Sequence, residues 1–239
     1  MAPEPTGPVW TRLPDEPAPE RPRVTRAAIV AAAITLADEE GLSAVSIRRV
    51  AAALDTRPMG LYSHIGRKDD LVDLMIDHVA GDFLLETVPE DWREALSEIA
   101  HRTRAACLRH PWLVAAMDHR PEFGPNAVRH FEQSLAAVSS LDIAPAEALT
   151  ILRTVDKFTL GQVIDQLSHH AMRQREALTD VEWARAATER LDQLIASGEF
   201  PNLARVGSEV AIEAAAHEES FEAGLDWLLA GIAASLDER

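Results

Sequence analysis

Cysteine is nearly absent from this chain: Cys107 is the only one in 239 residues. That excludes an intrachain disulfide framework and a multi-thiolate zinc site. Apolar runs of the roughly 20 residues needed to cross a bilayer are also missing, so no membrane association is expected. The opening stretch MAPEPTGPVWTRLPDEPAPERP has no apolar segment of the signal-peptide kind, and the expected location is the cytoplasm. Alternating apolar and polar runs are absent, which leaves no candidate for half-buried strands. No P-loop, GxGxxG, GxSxG or HExxH pattern occurs. An enzyme is therefore not expected, and neither a cofactor nor a metal is assigned.

What is present begins with proline. Seven of the fourteen prolines fall in residues 1–22, which reads as an extended or flexible arm, because proline blocks helix and sheet hydrogen bonding. Trp10 within it reads either as a tail residue or as an anchor. Hydrophobic residues make up 47% of the chain, enough for a folded core.

The net charge of −16 at first argues against nucleic acid, but its distribution reverses that reading. Residues 21–70 carry eight basic and six acidic side chains, and residues 71–239 carry fourteen against twenty-nine. Residues 43–68 alone hold five basic and one acidic. Phosphate contact is a local matter, so a basic tip on an acidic body suits DNA binding.

From residue 25 onward apolar residues recur at helical spacing and alanine is abundant, giving an all-α chain. Thr25 caps a first helix that Gly41 ends. Ser46 caps a second from Ile47 to Leu54, with Val50 and Leu54 facing inward. Asp55-Thr56-Arg57 connects to a short third helix, Pro58 to about Ile65, and a fourth starts near Lys68. Further helices are expected over Trp92–Arg109, Trp112–Met117, Asn126–Leu141, Pro145 to about Glu176, Thr179–Ala196 and Ser220–Leu236, with a weaker one near Asn202–Ala216. The last carries Phe221, Leu225, Leu228, Ile232 and Leu236 on one stripe, with Trp227 and Leu229 beside it.

The segment SIRRVAAALDTRPMGLYSHIGRKDDLV has the physics of a helix-turn-helix. A short helix braces across the duplex, and a tight connection swings a second into the major groove tip first. That second helix is too short to be stable alone and serves only when presented on a packed scaffold.

Residues 25–71 resemble the DNA-binding domain of the tetracycline-repressor (TetR) family, on Gly41, Ser46, Arg48, Val50, Ala51 and Leu54, the run Leu61-Tyr62-Ser63-His64-Ile65, and Lys68 with Leu71. Phe158-Thr159-Leu160-Gly161, and Phe221 with Gly224-Leu225, resemble the ligand-binding domain of the tetracycline repressor's own branch. Beyond the proline-rich arm over 1–22, the resemblance implies a three-helix DNA-binding head over 23–70 and a larger helical ligand-binding and dimerisation domain over 71–239. It implies a base-reading Arg48, since arginine binds guanine bidentately. It places Thr56, Arg57, Pro58, Met59 and Gly60 at the recognition tip, and gives Tyr62, His64 and Lys68 as phosphate contacts that position the helix. Lys68 also lies at a helix N-terminus, whose N–H groups attract phosphate. Leu54, Leu61 and Ile65 read as core, and Tyr62 has a half-buried core reading beside the functional one. Arg49 reads as solvated or phosphate-facing. Arg21, Arg23 and Arg26 form a possible arm into the minor groove.

The resemblance further implies a homodimer, a pseudo-palindromic double-stranded DNA operator, and a small-molecule inducer whose binding releases DNA. Candidate inducer contacts are Trp112, Met117, Phe131, Phe158, Gln162, Asp165 and His169, each with a plain core or surface alternative. Asp165 falls on the carboxylate position of the tetracycline-type site. The histidines of that site are not matched: Met117 stands at one position with His119 nearby, and Phe83 and Leu84 near the other. Tetracycline is accordingly not the expected ligand. The Asp165–His169 spacing reads as a polar face rather than a metal site, and Cys107 as a buried thiol. The other function class is a helical small-molecule-binding or interaction protein with a degenerate DNA-reading head.

Overall fold

The computed structural model describes residues 24–117, 124–176, 179–208 and 217–238. The expected arm over 1–22, with Trp10, Arg21 and Arg23, lies outside the described residues, as does His119. Among the described residues every regular element is helical.

The first helix, α1 (Arg26–Glu40), starts where Thr25 Oγ1 accepts the Ala28 N–H at 3.1 Å. It buries Ile29, Val30, Ala33, Ile34, Leu36 and Ala37 on one face. Gly41 ends it at φ 83°, ψ 163°, a conformation that essentially only glycine adopts. A 3₁₀ turn at Leu42–Ala44 leads to α2 (Ile47–Ala53), where Ser46 Oγ accepts the Arg49 N–H at 3.3 Å. Both caps are local devices and stand where the sequence places them.

The connection after α2 closes on itself. The Thr56 N–H reaches the Ala51 carbonyl at 2.9 Å and the Asp55 N–H reaches Ala52 at 3.1 Å. Asp55 takes φ 48°, the left-handed conformation that a short polar side chain tolerates. This paired closure turns the chain into α3 (Pro58–Leu61), with proline in the first turn. The helix proper ends at Leu61, shorter than the expected run to Ile65. The remaining residues form a turn in which the His64 and Ile65 N–H groups both return to the Leu61 carbonyl. Leu61 and Ile65 are fully buried. Leu54 is half-buried rather than core: it is the C-terminal cap of α2, where the chain leaves the helix.

Next comes α4 (Lys68–Ala80), followed by a 3₁₀ turn at Gly81–Phe83. Then follow α5 (Trp92–Arg109), α6 (Trp112–Met117) and α7 (Pro125–Ala137). The long α8 spans Pro145–Glu176, α9 Asp180–Ala196, α10 Pro201–Val206 and α11 His217–Asp237. Of the weaker helix expected near Asn202–Ala216, Pro201–Val206 is helical, Gly207 interrupts it, Ser208 is again helical, and residues 209–216 lie outside the described set.

The chain divides into two compact units, with the division between Leu152 and Arg153, inside α8. In the first, α1 packs on α2 and α4, and α2 packs on α3. Helix α4 also packs on α6 and α7, and α5 on α6 and α7. The three-helix head is thus continuous in packing with the helices that follow it.

In the second unit the buried positions of α8 are Val155, Thr159 and Val163, each four residues from the last. On α11 they are Phe221, Leu225, Leu229 and Ala233. This corrects the expected placement of Leu229 beside the stripe. Spacings of three and of four both continue a helical stripe, and here the four-residue series won, leaving Leu228, Ile232 and Leu236 half-buried. Trp227 is 77% exposed. Phe158 stacks on Phe221 with ring centroids 5.7 Å apart.

Candidate nucleic-acid interface

The core of the head fixes what its outside presents. Val50, Ala51, Leu61 and Ile65 are fully buried, so the residues between them face outward. Arg48, Arg57, Met59, Gly60, Tyr62 and Lys68 are exposed, and Thr56, Pro58 and His64 are half-buried. Met59 is 76% exposed at the tip of α3 and Tyr62 49%. An apolar side chain as exposed as Met59 has no packing role in this chain, and a thymine methyl is a fitting partner. At 49% exposure Tyr62 is about half covered by its neighbours and half open to a phosphate.

The five cations of residues 43–68 are not equivalent. Arg67 caps α4 and is tied to Asp70. Its N–H reaches Asp70 Oδ2 at 3.1 Å, and its guanidinium reaches Oδ1 at 3.4 Å. Asp70 is fully buried. Arg49, read from sequence as solvated or phosphate-facing, forks onto Glu40 at the end of α1. The hydrogen bonds from Arg49 hold the Glu40 carboxyl below the usual range for glutamate and the guanidinium above its own. Arg48, Arg57 and Lys68 stand exposed without an ion pair among the described residues. Asp69 and Asp70 share the first turn of α4 with Lys68, so the local charge there is mixed and Lys68 itself is the cation on offer. Arg26 is the first residue of α1 and half-buried.

Two carboxylates that sequence reasoning missed tie the head and α4 to the body helices. Asp38 on α1 accepts the Trp112 indole N–H at 2.7 Å and stands 2.8 Å from His110 Nδ1. Its partners are 72 and 74 residues away, and no local pattern announces them. Asp77 on α4 accepts the Asn126 and Ala127 N–H groups at 2.8 and 3.0 Å, and the Asn126 amide returns a bond to the Asp77 carbonyl at 3.0 Å. It thereby caps α7, whose own N-cap, Gly124, has no side chain to do so. Burial pushes the Asp77 carboxyl up, against the opposing pull of these N–H groups. A signal existed here. Asp70 and Asp77 lie seven residues apart among the otherwise apolar buried residues of α4, where an acid needs dedicated donors.

The ligand candidates divide between the units. In the first, Trp112 is buried with its N–H committed to Asp38, Met117 is half-buried, and Phe131 on α7 is exposed. In the second, Phe158 packs on Phe221, Gln162 is half-buried and Asp165 is exposed. His169 Nε2 lies 3.5 Å from Asp165 Oδ1, and its ring stands edge-on to Trp183 with centroids 6.3 Å apart. Among the described residues no group of three or more His, Cys, Asp or Glu side chains is placed to hold a metal ion, and no helix is long and apolar enough to cross a membrane. Cys107 is fully buried.

Comparison with known proteins matches this geometry. Residues 29–75 fit the family model described as bacterial regulatory proteins, tetR family, and residues 87–236 fit the tetracyclin repressor-like C-terminal domain. The HTH-type transcriptional repressor DrrR1 of Streptomyces coeruleorubidus is 34% identical over 79% of this chain and 71% of its own. An HTH-type transcriptional regulator of Saccharopolyspora erythraea is 31% identical over 96% and 92%. Among solved structures, the TetR family protein ActR of Streptomyces coelicolor in complex with actinorhodin superposes with a TM-score of 0.75. It is 28% identical, over 90% of this chain and 98% of that one. With an exposed tip on a buried helix-turn-helix scaffold and a helical body matched by its own family model, the chain belongs to the tetR family of bacterial regulatory proteins and is a helix-turn-helix transcriptional regulator.

Proposed function

We propose that the protein is a repressor that binds a pseudo-palindromic operator as a homodimer and is released by a small-molecule inducer. The observation that carries the DNA reading is the exposed set Arg48, Arg57, Met59, Tyr62 and Lys68 raised on a scaffold whose inward residues are fully buried. Arg48 reads guanine from α2; Arg57, Met59 and Gly60 enter the groove with Thr56 and Pro58; Tyr62, His64 and Lys68 hold phosphates. Residues 23–70 act as the reading head and residues 71–239 as the sensing and pairing body. Repression follows the naming of DrrR1 as a repressor, and the inducer follows the ActR structure with actinorhodin.

The dimer is supported by Trp227. A tryptophan 77% exposed on a helix whose opposite face is already buried is surface awaiting a partner, and a second copy supplies it by two-fold symmetry. Phe131, and separately Gln162, Asp165 and His169, are the candidates whose positions leave them open to an inducer. The inducer must favour a conformation that fits DNA badly, since only differential affinity shifts the balance.

The test is selection of bound sequences from a random duplex library with the full chain free of ligand. A palindromic site with a steep salt dependence supports the regulator reading; no enrichment from a folded dimer refutes it.

A further inference from the structure

Arg49 is a cation beside the base-reading candidate Arg48, yet its guanidinium is spent inside the protein. Both its terminal nitrogens point at one carboxylate, that of Glu40, with Nη1 to Oε2 at 2.9 Å and Nη2 against Oε1. The pair joins the last residue of α1 to the first turn of α2, nine residues on. Both side chains are nearly half exposed, so the pair contributes little to stability. Its acid also stands at the end of α1, where helix carbonyls repel a carboxylate. The arrangement is poor as a stabiliser. It is effective as a restraint, because a fork fixes a guanidinium in one plane and one direction.

We propose that Glu40 sets the affinity of the DNA interface for duplex of any sequence: it holds Arg49 back from the phosphates and leaves Arg48 as the cation that α2 presents to the duplex. The proposal rests on the DNA-binding reading above. Its logic is the division between two kinds of contact. A long cation free to reach any phosphate strengthens binding to every sequence alike, whereas a base-reading arginine strengthens binding to one. Withholding Arg49 lowers affinity for every duplex by the same factor and leaves the Arg48 contact in place, so base reading carries a larger share of operator binding and less protein is held on bulk DNA. The Arg67–Asp70 pair shows the same head holding a second cation with its own acid.

The test is a double-mutant cycle in the full-length protein, with Glu40→Ala, Arg49→Gln and the double variant. Binding to a mixed-sequence duplex and to the duplex recovered by selection is followed against salt, and thermal unfolding checks that each variant is folded. Glu40→Ala is expected to steepen the salt dependence on mixed-sequence duplex by about 0.9 in the log–log slope, one added phosphate contact. Its gain over wild type then shrinks about threefold between roughly 50 and 200 mM salt on both duplexes, and the ratio of operator to mixed-sequence affinity stays as in the wild type. Arg49→Gln alone is expected to match the wild-type slope, and the double variant to match Arg49→Gln. The proposal is overturned if the Glu40→Ala gain persists without Arg49, which would make it a bulk charge effect. It is equally overturned if Glu40→Ala changes nothing, or if Arg49→Gln alone flattens the slope by about one contact. Absence of salt-dependent binding by the wild type to either duplex would overturn the DNA reading itself, a result distinct from all of these.

Discussion

Asp77→Ala tests the clamp between α4 and α7. In the native protein one carboxylate oxygen takes the N–H groups of Asn126 and Ala127, and the side chain is 6% exposed. Truncation leaves two helix N-terminal donors without their acceptor, each costing about 1–3 kcal/mol when buried. Part of that is returned, because burial of the carboxylate is itself unfavourable and already raises its pKa. The expected loss is about 2–3 kcal/mol at neutral pH, read by urea unfolding with unchanged slope. Asp77→Asn keeps an acceptor at the same place and removes the buried charge, so it should cost less than about 1 kcal/mol. Its deficit should be smallest at neutral pH and grow as pH falls. A folded pKa above 3.8 means that the native state of the wild type binds the proton more tightly, so the cost of ionising Asp77 is absent in acid and fully present above the raised pKa. Gly124 supplies the decisive control. A Cβ there would fall 2.1 Å from Asp77 Oδ1 and 2.4 Å from its Cγ, so Gly124→Ala must evict the carboxylate. On the wild type it should cost as much as Asp77→Ala. On Asp77→Ala it should be neutral or stabilise by up to about 1 kcal/mol, because alanine fits the backbone at φ −69° and restricts the unfolded chain. Additive losses from the two substitutions, or an Asp77→Ala cost under about 0.5 kcal/mol, would refute the clamp.

Other expectations follow from the same structure. Gly41→Ala should destabilise by about 1–3 kcal/mol through backbone strain alone, since no atom lies within 4 Å of the new Cβ and the φ of 83° is what alanine resists; a neutral result in thermal unfolding would contradict it. His130 is held down to about 4 by burial. Its ring Nδ1 accepts from the Gln133 amide, whose own oxygen is taken by the Leu85 N–H and whose nitrogen also donates to the Phe83 carbonyl. A histidine with a lowered folded pKa contributes stability that is present above 6.5 and lost as pH falls toward 4, up to about 3 kcal/mol; His130→Gln should flatten the unfolding profile over that window. Lys68→Ala should weaken binding to all duplexes and reduce the salt slope by about one contact, whereas Arg48→Ala should relax preference at one base pair per half-site by about 1–3 kcal/mol. An unchanged slope in the first, or an unchanged base preference in the second, would remove that residue from the interface.

The sequence by itself determined the helical class, most helix ends and the location of the reading head. Those features are local. Thr25, Ser46 and Thr179 cap helices from three residues away, and Gly41 ends one through its own backbone freedom. The exposed tip of Met59 and Tyr62 follows from the buried spacing of Val50, Leu61 and Ile65. Leu229 marks where such reasoning fails, since three- and four-residue steps both continue a stripe and only the packed neighbour chooses between them. Tertiary structure alone decided which charges are available. Arg49 reads in sequence as solvated or phosphate-facing, and only the fold, by bringing Glu40 at the end of α1 beside it, ties its guanidinium down. Asp38 and Asp77 became links to Trp112, His110 and the start of α7 only when helices about 50 to 70 residues apart met. A hydrogen bond acts over about 3 Å, so its partner is fixed by where the fold brings two chain segments together, and sequence spacing carries that information only when the partners share one helix or one turn.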